Sequence, residues 1–464
     1  MGELFRKGES RPFTRNDLGL YEQARSTQHL HEVPVLQRSD NRHEYLFFGL
    51  FDGTGQDADN PKQLLTNVGL LREQLNILRD DPDNRIGYDY VAGIGTQSNP
   101  LARYKDALIP HSWAGRIENA YLELATQTKI WREQDPDAQI RVAHVGYSRG
   151  AVLSVGLARL VDQYGIANPD DLRFGRDAHG NITVQGPHPP LVEPGQAAQA
   201  MGLYDPVATH LPDDFDARRP GSVISAVAMA AAHEQRVAFP HQAILQPGLS
   251  SDRRFANLLM PGGHSNVGGG NRDPGAETMA FNSMADYLNG LRDTPLFTHR
   301  PLPDDPDQYT VHQARGPTAV PGLDRSGLRE VRQDLANCKI VDPCRDGEPV
   351  NRALAEQFEY RRLQPTAPLP ALAPAQRQGA AQQAEQPQRM TSFADPHVDR
   401  AYSALLAGDS DQLDRIAIEF AQSPAGRHMA QQGDQWLARQ QATEHRQMQE
   451  RQATQRQADP VLSR

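Results

Sequence analysis

The segment Gly146–Gly150, of sequence GYSRG, is the strongest chemical signal in the chain. It lies between an apolar run, Ile140–Val145, and a stretch from Ala151 onward that has the apolar stripe of a helix. A serine at such a strand-to-helix turn projects its hydroxyl into solvent, and glycines two residues before and after it let neighbouring backbone pass closely. The helix behind it favours negative charge at its amino end. The pattern therefore predicts that Ser148 is a nucleophile rather than part of a purely structural turn.

A nucleophilic serine needs a general base and an acid that orients the base, and in this kind of turn the chain order is Ser, Asp, His. Asp205 ends a candidate strand, although an acid there could instead belong to a turn or cap a helix. His264 follows the apolar run Leu258–Met260, among glycines that allow close approach of the backbone. We therefore expect Asp205 and His264 to complete a triad with Ser148, with His264 as the general base.

Three other histidines are alternatives for the base. His144 lies inside the strand that precedes the serine, so we interpret it as a packed core residue. His210 is too close in sequence to Asp205 for the expected order. His233 lies in a run of small residues that we predict to be helical, and it remains the main competitor of His264.

The turn Phe51–Gly55, of sequence FDGTG, ends a predicted buried strand and is where we expect the oxyanion hole. The backbone N–H of Gly53 or Thr54 would provide one donor, and that of Arg149 the other. Asp52 is expected to hold the shape of the loop by accepting backbone hydrogen bonds. No Gly-Lys-Ser/Thr follows, which argues against a phosphate-binding loop. No cluster of ligands indicates a metal, so we predict that the reaction needs neither a metal nor another cofactor.

The elements that must position these residues alternate between strand and helix. Such alternation predicts an α/β fold with a mainly parallel sheet, which places chemistry at the carboxyl ends of its strands. The predicted strands are Glu44–Phe51, Tyr88–Gly93, Ile140–Val145 and Ala200–Tyr204, and the predicted helices are Leu64–Leu78, Ile117–Ile130, Ala151–Tyr164 and Met279–Leu291.

The predicted domain organisation follows shifts in composition. The polar insertion at residues 168–194 is interpreted as a surface excursion rather than a lid, because it has few apolar residues. The segment after residue 364 is rich in Pro, Ala and Gln and cannot bury enough apolar surface to fold. We therefore expect a polar N-terminal arm (1–43), a catalytic domain (44–295), a connector and extension packed on it (296–364), a linker (365–390) and a helical Gln-rich tail (391–464).

Composition and charge exclude several classes of protein. The formal net charge of -10 disfavours an electrostatically driven nucleic-acid binder. The 2 cysteines, Cys338 and Cys344, are too few for a disulfide scaffold. The chain contains no run of about 18 apolar residues, so no transmembrane helix is predicted. The start, Met1–Arg6, lacks the apolar core of a secretory signal, so we expect synthesis in the cytoplasm and export by a specialised route.

Several motifs in the same order as the candidate site resemble the α/β hydrolase domain of bacterial type VI secretion lipase effectors of the G-x-S-x-G class. The resemblance covers about residues 44–295. It implies an α/β hydrolase fold, a phospholipase A-type serine esterase and the triad Ser148, Asp205 and His264. The motifs are Phe51–Thr54, Thr66–Val68, Gly93–Thr96, Gly146–Ala151, Tyr204–Val207 and Gly263–Gly270.

The chain also departs from the family pattern. The family usually has an acid where Asn266 stands, a threonine where Pro206 stands and an aspartate where His233 stands. The long membrane-associating extensions of larger members are absent. The Gln-rich tail is similar to the C-terminal signals of effectors that xanthomonad-type type IV systems inject into neighbouring bacteria.

The resemblance implies a toxin that is delivered into the periplasm of a target cell and hydrolyses membrane glycerophospholipids there. Its expected partners are the phospholipid membrane, a cognate immunity protein and the secretion machinery of type VI or type IV, and not nucleic acid. A soluble carboxylesterase is the alternative among enzymes. A non-catalytic secreted interaction protein is the alternative from another class, although the intact triad argues against it.

Overall fold

The computed structural model describes residues 9–96, 113–209, 211, 215–234, 236, 239, 241–313, 349–367 and 370, and its central feature is a seven-stranded sheet. All of these residues lie in the first of two compact units, Met1–Gly379, and the second unit is Ala380–Arg464. The predictions that concern His210, the two cysteines and the Gln-rich tail therefore fall outside the described residues.

The bounds of the elements agree closely with the predicted alternation of strand and helix. The strands are β1 (Glu9–Pro12), β2 (Glu32–Pro34), β3 (Glu44–Phe51), β4 (Ile86–Val91), β5 (Gln139–Tyr147), β6 (Arg173–Arg176), β7 (Ile182–Gln185), β8 (Gln199–Tyr204), β9 (Val223–Ala231), β10 (Gly248–Leu249), β11 (Phe255–Met260), β12 (Thr310–Gln313) and β13 (Tyr360–Arg362). The helices are α1 (Arg15–His29), α2 (Asn67–Leu78), α3 (Trp113–Gln134), α4 (Arg149–Tyr164), α5 (His264–Gly268), α6 (Gly275–Gly290) and α7 (Arg352–Ala355). Single 3₁₀ turns lie at Pro82–Asn84 and Pro306–Gln308.

The strand order of the central sheet is β10-β11-β9-β8-β5-β3-β4. Neighbouring strands are parallel except for β10, which pairs antiparallel with β11. Every residue of β8 and β9 is buried, as expected when helices cover both faces of a parallel sheet. One face carries an apolar cluster with side chains of α1, α2 and α6, and the other face a cluster with α3 and α4.

The direction of winding reverses between β3 and β5. The chain leaves β3 for its neighbour β4 on one side and returns to β5 on the other, so the carboxyl ends of β3 and β5 adjoin at a topological switch point. Asp52 directly follows β3, and Ser148 directly follows β5. This mainly parallel sheet, with a serine turn between β5 and a helix, is an α/β hydrolase fold, and the fold prediction is confirmed.

The N-terminal segment differs from the irregular polar arm expected over residues 1–43. Thr14 caps α1 by accepting the Asp17 N–H at 3.4 Å, while the Asp17 carboxylate accepts the Thr14 N–H at 2.6 Å. The buried residues of α1 are Asp17, Tyr21, Ala24 and Gln28, at helical spacing. Two of the four are polar, so the sequence shows no apolar stripe there. The prediction of an arm is wrong for this segment, because α1 is part of the folded body.

The run of small residues before His233 is a strand and not the predicted helix. β9 lies between β8 and β11, and all of its 9 residues are buried. A run that is apolar at every position has neither a period of two nor a period of 3.6, so its pattern does not separate a buried strand from a buried helix. Burial on both faces of the sheet decides in favour of the strand.

The insertion at residues 168–194 contains an antiparallel hairpin of β6 and β7. Together with α3, α4 and the loop after β8, this hairpin borders an open cavity of about 360 Å³, lined by Trp113, Ile117, Gly156, Arg159, Leu160, Gln163, Tyr164, Asp177, His179, Asn181, Ile182, Phe215 and Asp216. None of the three predicted triad residues lines this cavity.

Two small sheets join the N-terminal segment to the chain beyond α6. β1 pairs antiparallel with β12, and β2 pairs antiparallel with β13. Contacts with the folded body continue past the expected start of the linker at Pro365, since the Thr366 hydroxyl donates to Asp286 at 3.0 Å and Ala367 is buried. Across the residues described, no helix has both the length and the apolar character needed to span a membrane.

Candidate active site

Ser148 occupies a strained turn between β5 and α4. Its backbone φ is 59°, in the left-handed region that residues other than glycine rarely adopt. The neighbouring glycines are required for steric reasons. A Cβ at Gly150 would lie 2.4 Å from the carbonyl oxygen of Asp52, and one at Gly146 would lie 2.5 Å from the Cα of Ala151. The turn therefore has the tight geometry that the GYSRG sequence predicts.

The structure brings the three predicted triad residues together. The Oγ of Ser148 lies 2.8 Å from Nε2 of His264, and Nδ1 of His264 lies 2.7 Å from Oδ2 of Asp205. The three residues follow the carboxyl ends of β5, β8 and β11, which are strands of one parallel sheet. All three are buried, and Asp205 is completely so. His264 begins the short helix α5 instead of lying in the loop that the sequence indicates.

These contacts determine the tautomer of the histidine. The Asp205 carboxylate can only accept, so Nδ1 of His264 carries a proton and donates it. Nε2 of the neutral ring is then the acceptor for the Ser148 hydroxyl, which is the arrangement required of a general base. The other carboxylate oxygen of Asp205, Oδ1, accepts the backbone N–H of Ala231 at 2.9 Å.

The ring of Tyr147 supports several loops of the site at once. It packs against the His264 ring, with centroids 4.7 Å apart, and its hydroxyl donates to the His264 carbonyl at 3.3 Å. A Cβ at Gly268 would lie 1.9 Å from the Tyr147 ring, and one at Gly53 would lie 2.5 Å from it. Both positions therefore require glycine, because the ring fills the space between the serine turn and the loops facing it.

Asp52 organises the loop that is expected to contribute to the oxyanion hole. Its buried carboxylate accepts the Gly53 N–H at 2.7 Å, the Thr66 hydroxyl at 2.8 Å and the Tyr90 hydroxyl at 2.7 Å. Burial raises the pKa of Asp52 to about 6, although these hydrogen bonds favour the ionised form. Nε of Arg149 donates to the Thr54 hydroxyl at 2.6 Å and so connects this loop to the turn that carries Ser148.

The competing histidines have other partners. Nε2 of His144 donates to Gln199 at 2.6 Å inside the sheet, and burial lowers the pKa of His144 to about 4. Nδ1 of His233 accepts the Gly262 N–H at 3.0 Å, so its Nε2 carries the proton and faces Asp17 at 3.2 Å. His233 thus connects α1 to the loop before His264 and does not contact the serine turn through these nitrogens.

A buried ion pair that the sequence analysis did not assign to the site supports the backbone of His264. Oε2 of Glu234 accepts the His264 N–H at 3.3 Å and lies 2.7 Å from the Arg236 guanidinium. Burial opposes the ionisation of Glu234, but the hydrogen bond and charge of Arg236 outweigh it and lower the pKa of Glu234. The Arg236 guanidinium also lies 3.5 Å over the ring of Phe239, whose edge contacts the His264 ring at 5.1 Å between centroids.

Asn266, which departs from the family pattern, connects the histidine helix to β12. Its Oδ1 accepts the Gly263 N–H at 2.9 Å and the His312 N–H at 2.8 Å, and its Nδ2 donates to the Thr310 carbonyl at 2.9 Å. The side chain is completely buried. The only sequence signal for this role is the departure itself, since the partner strand lies more than 40 residues further along the chain.

One group of possible metal ligands occurs within the described ranges. His43, Asp135 and Asp137 converge near the amino ends of β3 and β5, and Nδ1 of His43 lies 2.9 Å from the Asp135 carboxylate. Ser148 follows the carboxyl end of β5, so this group lies at the opposite edge of the sheet. It is partly exposed and has no contact with the triad through these atoms.

Residues 48–183 match a family model described as "T6SS, Phospholipase effector Tle1-like, catalytic domain". This match confirms the resemblance to type VI secretion phospholipase effectors over that segment. It includes Asp52 and Ser148 but ends before Asp205 and His264. The chain matches no curated protein.

Among solved structures, an uncharacterized protein from Pseudomonas aeruginosa is similar over 64% of this chain and 52% of its own, at 16% identity and a TM-score of 0.35. The Tle1 effector bound to the VgrG spike of the type 6 secretion system is similar over 49% of this chain and 51% of its own, at 19% identity and a TM-score of 0.31. Esterase 2 of Thermogutta terrifontis is similar over 55% of this chain and 86% of its own, at 14% identity and a TM-score of 0.27. The chain thus spans about half the length of the first two structures.

Proposed function

We propose, from the Tle1-like match of residues 48–183, that the chain is a serine hydrolase of the phospholipase A type that cleaves ester bonds of membrane glycerophospholipids. The observation that carries the proposal is the unbroken chain of hydrogen bonds from Ser148 through His264 to Asp205. Ser148 supplies the nucleophile, His264 the base and Asp205 the orienting acid. No metal or other cofactor is needed for this reaction.

In the proposed reaction, Oγ of Ser148 attacks the ester carbonyl while Nε2 of His264 takes its proton. The imidazolium that forms is stabilised by Asp205, which stays ionised. His264 then returns the proton to the leaving alcohol, and an acyl-enzyme remains on Ser148. Water, activated by the same histidine, attacks the acyl group and releases the fatty acid.

We assign the oxyanion hole to the backbone N–H groups of Thr54 and Arg149. The Gly53 N–H already donates to the Asp52 carboxylate at 2.7 Å, which makes Thr54 the better of the two predicted donors in that loop. The Arg149 N–H lies at the first position of α4, where the helix macrodipole also favours a developing negative charge. Asp52 in this proposal keeps the loop in shape and does not contact the substrate.

The first experiment incubates the purified chain with phosphatidylethanolamine and phosphatidylglycerol of defined acyl chains and identifies the products by mass spectrometry. Release of a fatty acid and a lysophospholipid is expected. Ser148→Ala should lower the rate by at least about 10³-fold, since the residual rate of a triad without its nucleophile comes from binding and the oxyanion hole alone. The matched control is Ser154→Ala, because Ser154 lies on the helix that follows Ser148 and its hydroxyl donates to the Ala151 carbonyl at 2.7 Å.

Three outcomes would contradict parts of this proposal. If Ser148→Ala retained more than about a tenth of the activity, Ser148 would not be the nucleophile. Rapid cleavage of short soluble esters without any attack on phospholipid would favour the soluble carboxylesterase. A wild-type chain that hydrolyses no ester but still binds the secretion machinery would favour the non-catalytic interaction protein.

The same proposal includes delivery by the secretion machinery to the periplasm of a target cell and a cognate immunity protein there. It rests on the family match, whose description names phospholipase effectors of the type VI system. The test is expression of the chain in a bacterium, either in the cytoplasm or directed to the periplasm by an added signal sequence. We expect damage to the membrane from the periplasmic form and tolerance of the cytoplasmic form, whereas equal tolerance of both would contradict the proposed site of action.

A further inference from the structure

A second buried histidine, His241, faces the carboxylate of Asp205. It is 2% exposed, and its Nδ1 lies 3.7 Å from Oδ1 of Asp205, the oxygen that does not bind His264. Within the described ranges, this Nδ1 is a buried nitrogen without a hydrogen-bond partner. The triad acid therefore lies between two histidines, one on each oxygen.

The contacts of the ring determine which nitrogen of His241 carries the proton. Nε2 lies 3.4 Å from Nδ2 of Asn257, and the same Nδ2 donates to the Leu245 carbonyl at 3.0 Å. The opposite orientation of the amide would place its oxygen against that carbonyl, so Nδ2 is the atom that faces the ring. Because an amide nitrogen only donates, Nε2 of His241 accepts. The proton of the neutral ring is then on Nδ1 and points toward Asp205.

The backbone keeps His241 beside the acid. His241 forms an isolated antiparallel bridge with Val207, and the Gln242 N–H donates to the Pro206 carbonyl at 2.8 Å. The segment that carries His241 is thus attached to the two residues that follow Asp205. The ring position is set by the same stretch of chain that sets the position of the acid.

We propose that His241 is a positioning residue that keeps Asp205 ionised and oriented toward His264; this proposal rests on the proposed serine hydrolase function. At 3.7 Å the Nδ1–H is too distant for a full hydrogen bond, but in a buried site an oriented N–H still favours the charged carboxylate. With the Ala231 N–H, it opposes rotation of the carboxylate away from His264. The effect is greatest when His264 becomes an imidazolium and needs a full negative charge beside it.

Two amide variants separate this role from simple packing. In His241→Asn the side-chain nitrogen can take the place of Nδ1 and donate to Asp205, whereas in His241→Gln it can take only the place of Nε2. We expect His241→Asn to stay within about threefold of the wild-type kcat and His241→Gln to lose about tenfold or more, with KM unchanged in both. KM should not change because His241 lies behind Asp205 and contacts no substrate.

The measurements are kcat and KM on a soluble ester, the rate constant for labelling of Ser148 by an alkylphosphonate, and the thermal midpoint of each variant. His31→Gln is the matched control, since His31 is also fully buried and also has an unpartnered Nδ1, but its Nε2 bonds to the Arg254 carbonyl at 2.9 Å. It should lose stability without a selective loss of labelling rate. If His241→Gln does not fold, His241→Met provides a side chain of similar volume that lacks the donor.

Equal labelling rates for His241→Asn and for His241→Gln, or for His241→Met if it replaces His241→Gln, would overturn the role of His241. So would losses of rate that follow the folded fraction and match those of the His31 control. A folded wild-type chain that the alkylphosphonate does not label would overturn the proposed serine hydrolase itself, and with it this inference. The two failures are therefore distinguishable.

Discussion

Replacing Asn266 by aspartate tests whether the hydrogen bonds of this side chain hold the histidine helix in place. The two side chains have the same shape, and the effector family that the chain resembles usually has an acid at this position. In this chain, however, Nδ2 of Asn266 donates to the Thr310 carbonyl at 2.9 Å in a completely buried site. A carboxylate there would place a charged oxygen against a carbonyl oxygen. We therefore expect Asn266→Asp to destabilise the protein at neutral pH.

The loss of stability is limited because the introduced aspartate can take up a proton. A protonated carboxyl can donate to the Thr310 carbonyl, so the penalty cannot exceed the free energy needed to protonate an aspartate whose unfolded pKa is about 3.9. That limit is about 4 kcal/mol at pH 7 and about 1.5 kcal/mol at pH 5. Because the folded pKa is raised, the penalty is small near pH 4 and grows as the pH rises toward the folded pKa.

The assay is chemical denaturation of wild-type and Asn266→Asp proteins at pH 5 and pH 7, followed by measurement of kcat under conditions where both are folded. Asn60→Asp is the control, because the Asn60 side chain only accepts a hydrogen bond, from the Lys62 N–H at 3.1 Å, and a carboxylate can do the same. An Asn266→Asp protein as stable as the wild type at pH 7, or one whose loss of stability is the same at both pH values, would refute the reasoning.

Three further predictions concern His233, Asp52 and the tail after Gly379. His233→Ala should lower the free energy of unfolding by about 1–3 kcal/mol, since it removes the acceptor of the Gly262 N–H, while kcat stays near wild type; a loss of kcat as large as that of His264→Ala would make His233 the base. Because burial raises the pKa of Asp52 to about 6, the contribution of Asp52 to stability should fall by about 3 kcal/mol as the pH rises from about 4 to 6, and Asp52→Asn should remove this contribution from denaturation curves; the same pH dependence in both proteins would count against it. Removal of the residues after Gly379, the end of the first compact unit, should leave hydrolysis in vitro intact and abolish intoxication of neighbouring cells, whereas an insoluble or inactive product would assign the tail to the fold.

Local pattern was enough to predict the fold and most of the candidate site. β3 has the predicted bounds, Glu44–Phe51, because a run that is apolar at nearly every position and ends in a glycine turn is typical of a buried strand. The GYSRG turn specifies its own geometry, since its glycines are the only residues that fit beside the passing backbone. The chain order of nucleophile, acid and base then points to Asp205 and His264, which lie within hydrogen-bond distance in the structure.

The elements that the local sequence pattern did not predict depend on partners that are distant in sequence. The stripe of α1 is half polar, and Asp17 can be buried because His233, Arg11 and Thr14 bind its carboxylate. β9 is apolar throughout, so its type is decided by the strands on either side of it.

The assignment of the histidines shows the same division. Sequence alone favours His264 because of its chain order and its glycine-rich surroundings, and it leaves His233 open as a competitor. Only the tertiary structure directs the nitrogens of His233 to Gly262 and Asp17, and only it brings His241 to the second oxygen of Asp205. The physical reason is that a sequence determines which groups a residue carries and its local backbone, whereas the partner of a buried polar group depends on which distant segments the sheet brings together.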